Sequence, residues 1–344
     1  MKYLNLSSKK NKKVNYGLEL LRMLMSFWVI MNHCYKTKNY TFYNIFFRHR
    51  FHVPTFIIIS FYFLYNNLSF KNINKIKFRL EKLFLPYLIY PTIIWFISNL
   101  LYFKYNTFKA EYCFKPLIMQ FLIGRGIYGV LWFHFNLILL TILFYIISFI
   151  FTKHYLFILQ ILAIISYLMQ YSNLNFKFFI QYKDSIKFSV GYFAETFPLA
   201  VTGLTLASLN IMQKLEKIRF KIIFFLSIFI FILFKYKIFV IIKGFGKQGL
   251  MLNVGSLSFF ILFYLLPLEN IKNSLIVVFI KYITNYTAGI YFLHIIIYKF
   301  LKNYIKLVIQ KRILGCIIIY LVCYIICFIC YKKLKNNKLK YLFI

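Results

Sequence analysis

The first apolar segment of this 344-residue chain holds three side chains that can act together in a chemical reaction. Glu19, Arg22 and His33 lie in this segment, at spacings of three and then eleven positions. Eleven residues of an α-helix return to the same face, with a rise of about 16 Å along the axis. Because ionisable groups inside a membrane helix are costly, they usually have a function. The spacing therefore predicts one helix face that carries a carboxylate, a guanidinium and an imidazole.

These three residue types suit a reaction on a substrate hydroxyl. A neutral imidazole at His33 can take a proton as a general base. Arg22 can hold a phosphate or a developing oxyanion, and Glu19 can neutralise and orient the guanidinium. In a purely structural alternative, Glu19 and Arg22 pair near the membrane surface and His33 reaches the far interface. Spacing alone leaves both interpretations open.

The composition indicates what kind of protein must position these residues. Apolar residues make up 62% of the chain, and long apolar stretches recur at about the 20 residues that a helix needs to cross a bilayer. Because the runs are continuous and do not alternate, they favour helices over a β-barrel. We predict an all-α polytopic membrane helix bundle with about ten transmembrane helices, forming a single domain over 1–344 with no soluble domain. The predicted spans are 16–35, 51–67, 83–103, 129–151, 155–171, 188–209, 219–240, 250–268, 283–301 and 313–331.

The charge is strongly basic, with 43 Lys and Arg against 7 Asp and Glu. Because these cations lie between apolar spans, contact with anionic lipid headgroups explains them better than nucleic acid does, and no nucleic-acid partner is expected. The segment 69–82 has apolar residues at helical spacing and predicts a basic amphipathic helix at the membrane interface. Its cations contact lipid or bind an anionic substrate. They are Lys75, Lys77, Arg79 and Lys82.

The distribution of Lys and Arg favours one membrane orientation by a small margin. Ten spans place both termini on the same side, and the two tails and the segment 69–82 are the densest basic clusters. Both termini are therefore predicted to be cytoplasmic, with Arg22 in the cytoplasmic half of its span and His33 in the outer half. We expect the first helix to remain uncleaved, because charged residues interrupt its apolar run.

Cysteines give no indication of a metal site. Four of the six fall in the last predicted span, where thiols usually act as small packing residues. We therefore predict no metal.

Five segments, in order along the chain, resemble motifs of the acyltransferase-3 family of bacterial integral-membrane acyltransferases. Glu19-Leu-Leu-Arg22, followed by His33, resembles the opening signature of that family. The later segments are 53–64 with Ser60, 78–87 with Arg79, 131–133 with Trp132 and 285–294 with His294. Two positions depart from the family pattern. Phe61 stands where the family usually has glycine, and Lys82 stands where a second arginine is common, which loses forked hydrogen bonding.

The resemblance implies a multi-pass enzyme of the bacterial inner membrane. It would transfer an acyl group, often acetyl, from acyl-CoA to a sugar hydroxyl of an envelope glycan, a polysaccharide or a lipid-linked sugar. His33 would act as the general base or would carry the acyl group transiently. The phosphates of the donor would meet Arg79, Lys82, Lys75 and Lys77.

Two alternatives remain open at this point. One is a transporter or flippase of an anionic lipid-linked sugar, and the other is an unrelated membrane O-acyltransferase that uses a histidine in a later span. Four further candidate site residues complete the prediction. Glu195 is an acid deep in span six, where a cavity or a cation would have to face it. His294, Ser60 and Trp132 lie in the matched motifs, with His294 as either a structural or a catalytic residue.

Overall fold

The computed structural model describes residues 15–34, 51–69, 72–105, 114–124, 131–171, 185–235, 250–268, 275–304 and 312–343. These residues form helices and short connections, with no β-strand among them. Their thirteen α-helices are α1 Tyr16–Cys34, α2 His52–Ser69, α3 Ile73–Tyr105, α4 Phe114–Ile123, α5 Trp132–Ile150, α6 Tyr155–Tyr171, α7 Ser185–Ser208, α8 Ile211–Glu216, α9 Arg219–Lys235, α10 Leu250–Leu265, α11 Leu275–Thr284, α12 Thr287–Tyr304 and α13 Arg312–Lys333. A short 3₁₀ helix, Lys338–Leu342, follows α13.

The helices agree with the predicted membrane bundle. Each of the ten predicted spans overlaps one of the longer helices. Within the described ranges, Trp132–Ile150 and Ile313–Lys333 are the helices that can cross a membrane by length and composition, and three shorter helices are also apolar. Large apolar side chains are exposed on the outside, as on α9 at Phe224, Phe225 and Phe231, and such a surface suits lipid. The all-α membrane class is confirmed, and the count of ten crossings stays a prediction.

Most of the basic segment predicted near 69–82 belongs to a longer helix, whereas Ser69 ends α2 and residues 70 and 71 lie outside the described part of the chain. Residues from Ile73 onward form the first turns of α3, which runs without a break for 33 residues and contains Pro86 and Pro91. At 1.5 Å per residue α3 is about 50 Å long, whereas the hydrocarbon core of a bilayer is about 30 Å thick. One end of α3 must therefore extend beyond the hydrocarbon. Lys75 and Lys77 are exposed at the first turns, and their position at the interface stays a prediction.

The first helix lies at the centre of the bundle. It packs against α2, α10, α11, α12 and α13. Leu18, Leu21 and Met25, spaced by three and four residues, are buried on its packed side. Because several helices surround α1, its polar side chains can contact residues of those helices as well as residues of α1 itself. The fold thus surrounds the ionisable residues of α1 with other helices of the bundle.

A second contact fixes the position of α2. The pair α2 and α7 is in intimate contact, and Gly203 of α7 lies against the backbone of Ile58 in α2. A Cβ atom at Gly203 would come within 2.5 Å of the Ile58 carbonyl oxygen, so the close approach requires glycine. This contact holds α2, and with it Ser60, at a fixed distance from α7.

Candidate active site

The carboxylate and the guanidinium of the α1 stripe form an ion pair. Arg22 Nη1 donates to Glu19 Oε1 at 3.2 Å and to Oε2 at 3.0 Å. The spacing of three residues puts the two side chains on one face of α1. Arg22 Nη2 donates to Thr287 Oγ1 of α12 at 3.3 Å. Glu19 and Thr287 therefore hold the guanidinium from two sides and fix its plane.

Arg22 forms part of the wall of a cavity of about 320 Å³ between α1, α2, α3, α5 and α12. This volume is within the range of small-molecule sites. Much of its wall is apolar, and polar groups project from five helices. The polar lining residues are Arg22, Ser60, Arg79, His134, Thr287 and Tyr291. Neither Glu19 nor His33 is among the lining residues. Of the predicted α1 trio, the guanidinium alone reaches this cavity.

A second guanidinium faces the same cavity from α3. Arg79 Nη2 donates to Ser60 Oγ at 2.7 Å, and Nη1 donates to the Ser60 carbonyl oxygen at 3.3 Å. Nε donates to Thr141 Oγ1 of α5 at 3.2 Å. The guanidinium also lies 5.4 Å from the ring centroid of Phe61, a buried residue. Phe61, which departs from the family pattern, thus packs against the cation and is not among the residues that line the cavity.

The other predicted cations of α3 have different surroundings. Lys75 and Lys77 are exposed, whereas Lys82 is half-buried. The Lys82 ammonium lies 4.6 Å from the ring centroid of Phe78 and 5.2 Å from that of Tyr341. Tyr341 belongs to the 3₁₀ helix after α13, so the C-terminal segment packs beside the basic end of α3. The structure therefore separates Arg79, which lines the cavity, from the three lysines, which do not.

The imidazole of the α1 stripe has a second imidazole as its neighbour. The rings of His33 and His294 lie 5.3 Å apart between centroids, with 47° between their planes. His294 is fully buried on α12, and its Nδ1 lies 2.6 Å from the carbonyl oxygen of Tyr291. The Tyr291 ring lines the cavity and lies 5.9 Å from the ring of His294. Two side chains of α12, Tyr291 and His294, thus lie between the cavity and His33.

Two polar lining residues of α12, Thr287 and Tyr291, were not singled out from the sequence, although both lie in the matched segment 285–294. Thr287, Tyr291 and His294 are four and three residues apart, which puts them on one helix face. This helical periodicity is the sequence signal from which Thr287 and Tyr291 could have been predicted as site residues. His134 of α5 also lines the cavity, and its ring lies 5.4 Å from that of Tyr291. Its sequence context, a histidine in an apolar helix, gave no reason to place it there.

The two remaining candidates from the sequence, Glu195 and Trp132, are not among the residues that line the cavity. Glu195 is buried in α7 and does not line the cavity. Trp132 begins α5, and its ring lies 4.0 Å from that of Tyr192 of α7. Cys316, Cys323 and Cys327 are buried in α13 as free thiols. In the part of the chain that the structure describes, no three His, Cys, Asp or Glu side chains are grouped to hold a metal ion.

Comparison with known proteins gives one match. A model of the acyltransferase-3 family, described as an acyltransferase domain, matches residues 15–332. Neither a curated protein nor a solved structure matches the chain. The matched range begins at the start of α1 and ends in the last turn of α13, so it includes every helix that contributes to the cavity.

Proposed function

This chain belongs to the acyltransferase-3 family, and we propose that it transfers an acyl group, acetyl in the first instance, from acyl-CoA to a sugar hydroxyl. The acceptor is a cell-envelope glycan, a polysaccharide or a lipid-linked sugar. The enzyme works in the bacterial inner membrane with both termini in the cytoplasm. The family match favours this function over a histidine enzyme of unrelated fold.

The observation that carries the proposal is that two guanidinium groups, Arg22 and Arg79, face one cavity. Coenzyme A is polyanionic, and guanidinium groups bind phosphate and carbonyl oxygens with directed hydrogen bonds. Both guanidiniums are already oriented, Arg22 by Glu19 and Thr287 and Arg79 by Ser60 and Thr141. Binding therefore costs little side-chain entropy. A cavity with two oriented cations suits an anionic donor better than it suits a neutral sugar.

The reaction assigned to these residues is a direct acyl transfer. His33 takes the proton of the acceptor hydroxyl as the oxygen attacks the thioester carbonyl. Arg22, about 16 Å from His33 along α1, binds the phosphates of the donor and so holds the thioester end toward His33. The carbon–sulfur bond then breaks, and the thiolate of coenzyme A takes a proton from the His33 imidazolium. In the alternative route His33 itself accepts the acyl group and passes it to the acceptor.

The Arg22 to His33 distance suits substrates that approach from opposite sides of the membrane. Eleven residues of helix separate the two groups by about 16 Å along α1. Acyl-CoA enters from the cytoplasm and meets Arg22 and Arg79, with Lys82, Lys75 and Lys77 near the entrance. The long pantetheine arm extends toward His33, and the acceptor hydroxyl binds next to the His33 imidazole.

Reconstitution tests this function against the transporter alternative. The purified protein in lipid nanodiscs is given acetyl-CoA with a radiolabelled acetyl group and a membrane extract of lipid-linked sugars. We expect label in the sugar fraction and release of free coenzyme A thiol. Proteoliposomes that move lipid-linked sugar between leaflets, with no label transferred from any acyl-CoA, would refute the proposal and favour the flippase.

A further inference from the structure

The hydrogen bond of His294 determines where its proton lies. Nδ1 of His294 is 2.6 Å from the backbone carbonyl oxygen of Tyr291. A carbonyl oxygen can accept a hydrogen bond and cannot donate one, so Nδ1 carries the proton. In the neutral ring the lone pair then lies on Nε2. Nε2 of His294 is buried and has no hydrogen-bond partner among the described residues. A buried acceptor of this kind requires a donor.

His33 is the group that can supply this donor. In the structure the two rings lie 5.3 Å apart between centroids, with 47° between their planes, and they make no hydrogen bond at His294 Nε2. At this separation a rotation of the His33 ring brings a nitrogen atom within about 3 Å of Nε2, the length of an N–H···N hydrogen bond. A neutral imidazole has one N–H and one lone pair. Since Nε2 of His294 can only accept, a hydrogen bond between the rings has to use the N–H of His33.

We propose that His294 is a positioning residue, which accepts the N–H of His33 and thereby fixes the tautomer in which the other His33 nitrogen presents its lone pair to the acceptor hydroxyl. This inference rests on the proposed role of His33 as the base. In the proposed arrangement the His33 N–H donates to His294 Nε2, and the observed bond from His294 Nδ1 to the Tyr291 carbonyl oxygen holds the His294 ring in place. The tautomer of a catalytic histidine is set by the bond that its second nitrogen makes.

A neutral histidine in this role suits the membrane. An aspartate beside the base would orient the ring equally well, but it would add a negative charge inside the apolar bundle. His294 is fully buried, so an uncharged acceptor costs less there. The proton of the substrate passes to His33 and then to the leaving thiolate, and His294 keeps its own proton on Nδ1 throughout.

Two substitutions at His294 separate positioning from packing. His294→Leu fills the space without an acceptor and is expected to lower kcat by about 100-fold or more, with an unchanged KM for acetyl-CoA. His294→Gln keeps an acceptor oxygen and an N–H donor, and is expected to recover at least tenfold of that loss. Equal losses in the two variants would overturn the proposal. The exposed His154 is the matched control, and His154→Gln should behave as wild type.

A measurement that does not depend on turnover reports the tautomer itself. Protein labelled with ¹⁵N in its six histidines gives imidazole signals that are assigned by their loss in His294→Gln and His33→Gln. We expect His294 in its Nδ1-protonated form, and a single His33 tautomer that becomes a mixture in His294→Leu. A His33 signal that ignores the His294 substitution would refute the inference. A wild-type protein with the expected signals but no acyl transfer would instead refute the proposed function.

Discussion

Arg79 Nη2 donates a hydrogen bond to Ser60 Oγ at 2.7 Å, and this bond joins α3 to α2 at the wall of the cavity. The same guanidinium reaches Thr141 of α5, so one cation connects three helices. The sequence indicated Arg79 as one of four similar cations on a basic surface. The structure distinguishes it from the exposed Lys75 and Lys77, because its hydrogen bonds turn it inward.

Replacing this cation should weaken both the bundle and donor binding. Arg79→Ala leaves Ser60 Oγ and Thr141 Oγ1 without their donor, and we expect a loss of about 1–3 kcal/mol in stability. The KM for acetyl-CoA should rise by about tenfold, because one of the two guanidiniums of the cavity is lost. Thermal unfolding in nanodiscs and steady-state kinetics measure the two effects.

Lys221→Ala is the control for Arg79→Ala. It removes a positive charge from an exposed position of α9, outside the cavity wall, and should change neither quantity. A folded Arg79→Ala protein with an unchanged KM would assign the cations of α3 to lipid contact.

The ion pair on α1 should be sensitive to the shape of the cation as well as to its charge. Arg22 contacts Glu19 and Thr287 with two separate nitrogens. Arg22→Lys keeps the charge but cannot hold both partners in this fork, so we expect kcat/KM to fall by about 100-fold. Thr287→Val removes only one of these bonds and should lower kcat/KM much less. Wild-type kinetics in Arg22→Lys would show that the guanidinium only balances Glu19.

Two glycines of α7 give a paired test of the helix contact that positions α2. A Cβ atom at Gly203 would lie 2.5 Å from the Ile58 carbonyl oxygen, whereas one at Gly191 would have nothing within 4 Å. Gly203→Ala should therefore destabilise the protein by about 1–3 kcal/mol. Gly191→Ala should be neutral or should stabilise α7 by about 0.5–1 kcal/mol, because alanine suits a helix better than glycine. Equal melting temperatures for the two variants would contradict the close approach of α2 and α7.

The C-terminal 3₁₀ helix should be held mainly by a buried hydrogen bond. Tyr90 of α3 donates from its hydroxyl to the Leu342 carbonyl oxygen at 2.9 Å. Lys338 Nζ lies 3.6 Å from Glu81 Oε1 in an exposed ion pair. We expect Tyr90→Phe to cost about 1 kcal/mol and Lys338→Ala to cost little, since exposed pairs contribute weakly. The rate of limited proteolysis near the C-terminus measures how often the 3₁₀ helix separates from α3. Faster cleavage in Lys338→Ala than in Tyr90→Phe would reverse this assignment.

The bundle could be predicted from the sequence because apolar runs of helical length are a strong signal in membrane proteins. The pairing of Glu19 with Arg22 follows from a three-residue spacing in one helix. The cavity could not be predicted in the same way. It depends on which helices meet, and the contacts of Arg79 with Ser60 and Thr141 join helices that are distant in sequence.

The relation of His33 to the rest of the site also required the fold. Periodicity puts His33 on the face of Arg22, and it says nothing of the helix opposite. In the structure α1 packs against α12. This packing places His294 next to His33 and Tyr291 at the cavity. The short helices α4, α8 and α11 escaped prediction as well, because ten residues or fewer give little periodicity.

Acyl transfer by the His33→Ala protein shows whether His33 is the base of the reaction. The variant and the wild type are reconstituted in the same nanodiscs, their melting temperatures are compared, and the transfer of labelled acetyl groups from acetyl-CoA to the sugar fraction is followed. We expect the rate to fall by about 100-fold to 10,000-fold with little change in melting temperature. A folded His33→Ala protein that transfers acetyl groups at the wild-type rate would contradict this role of His33.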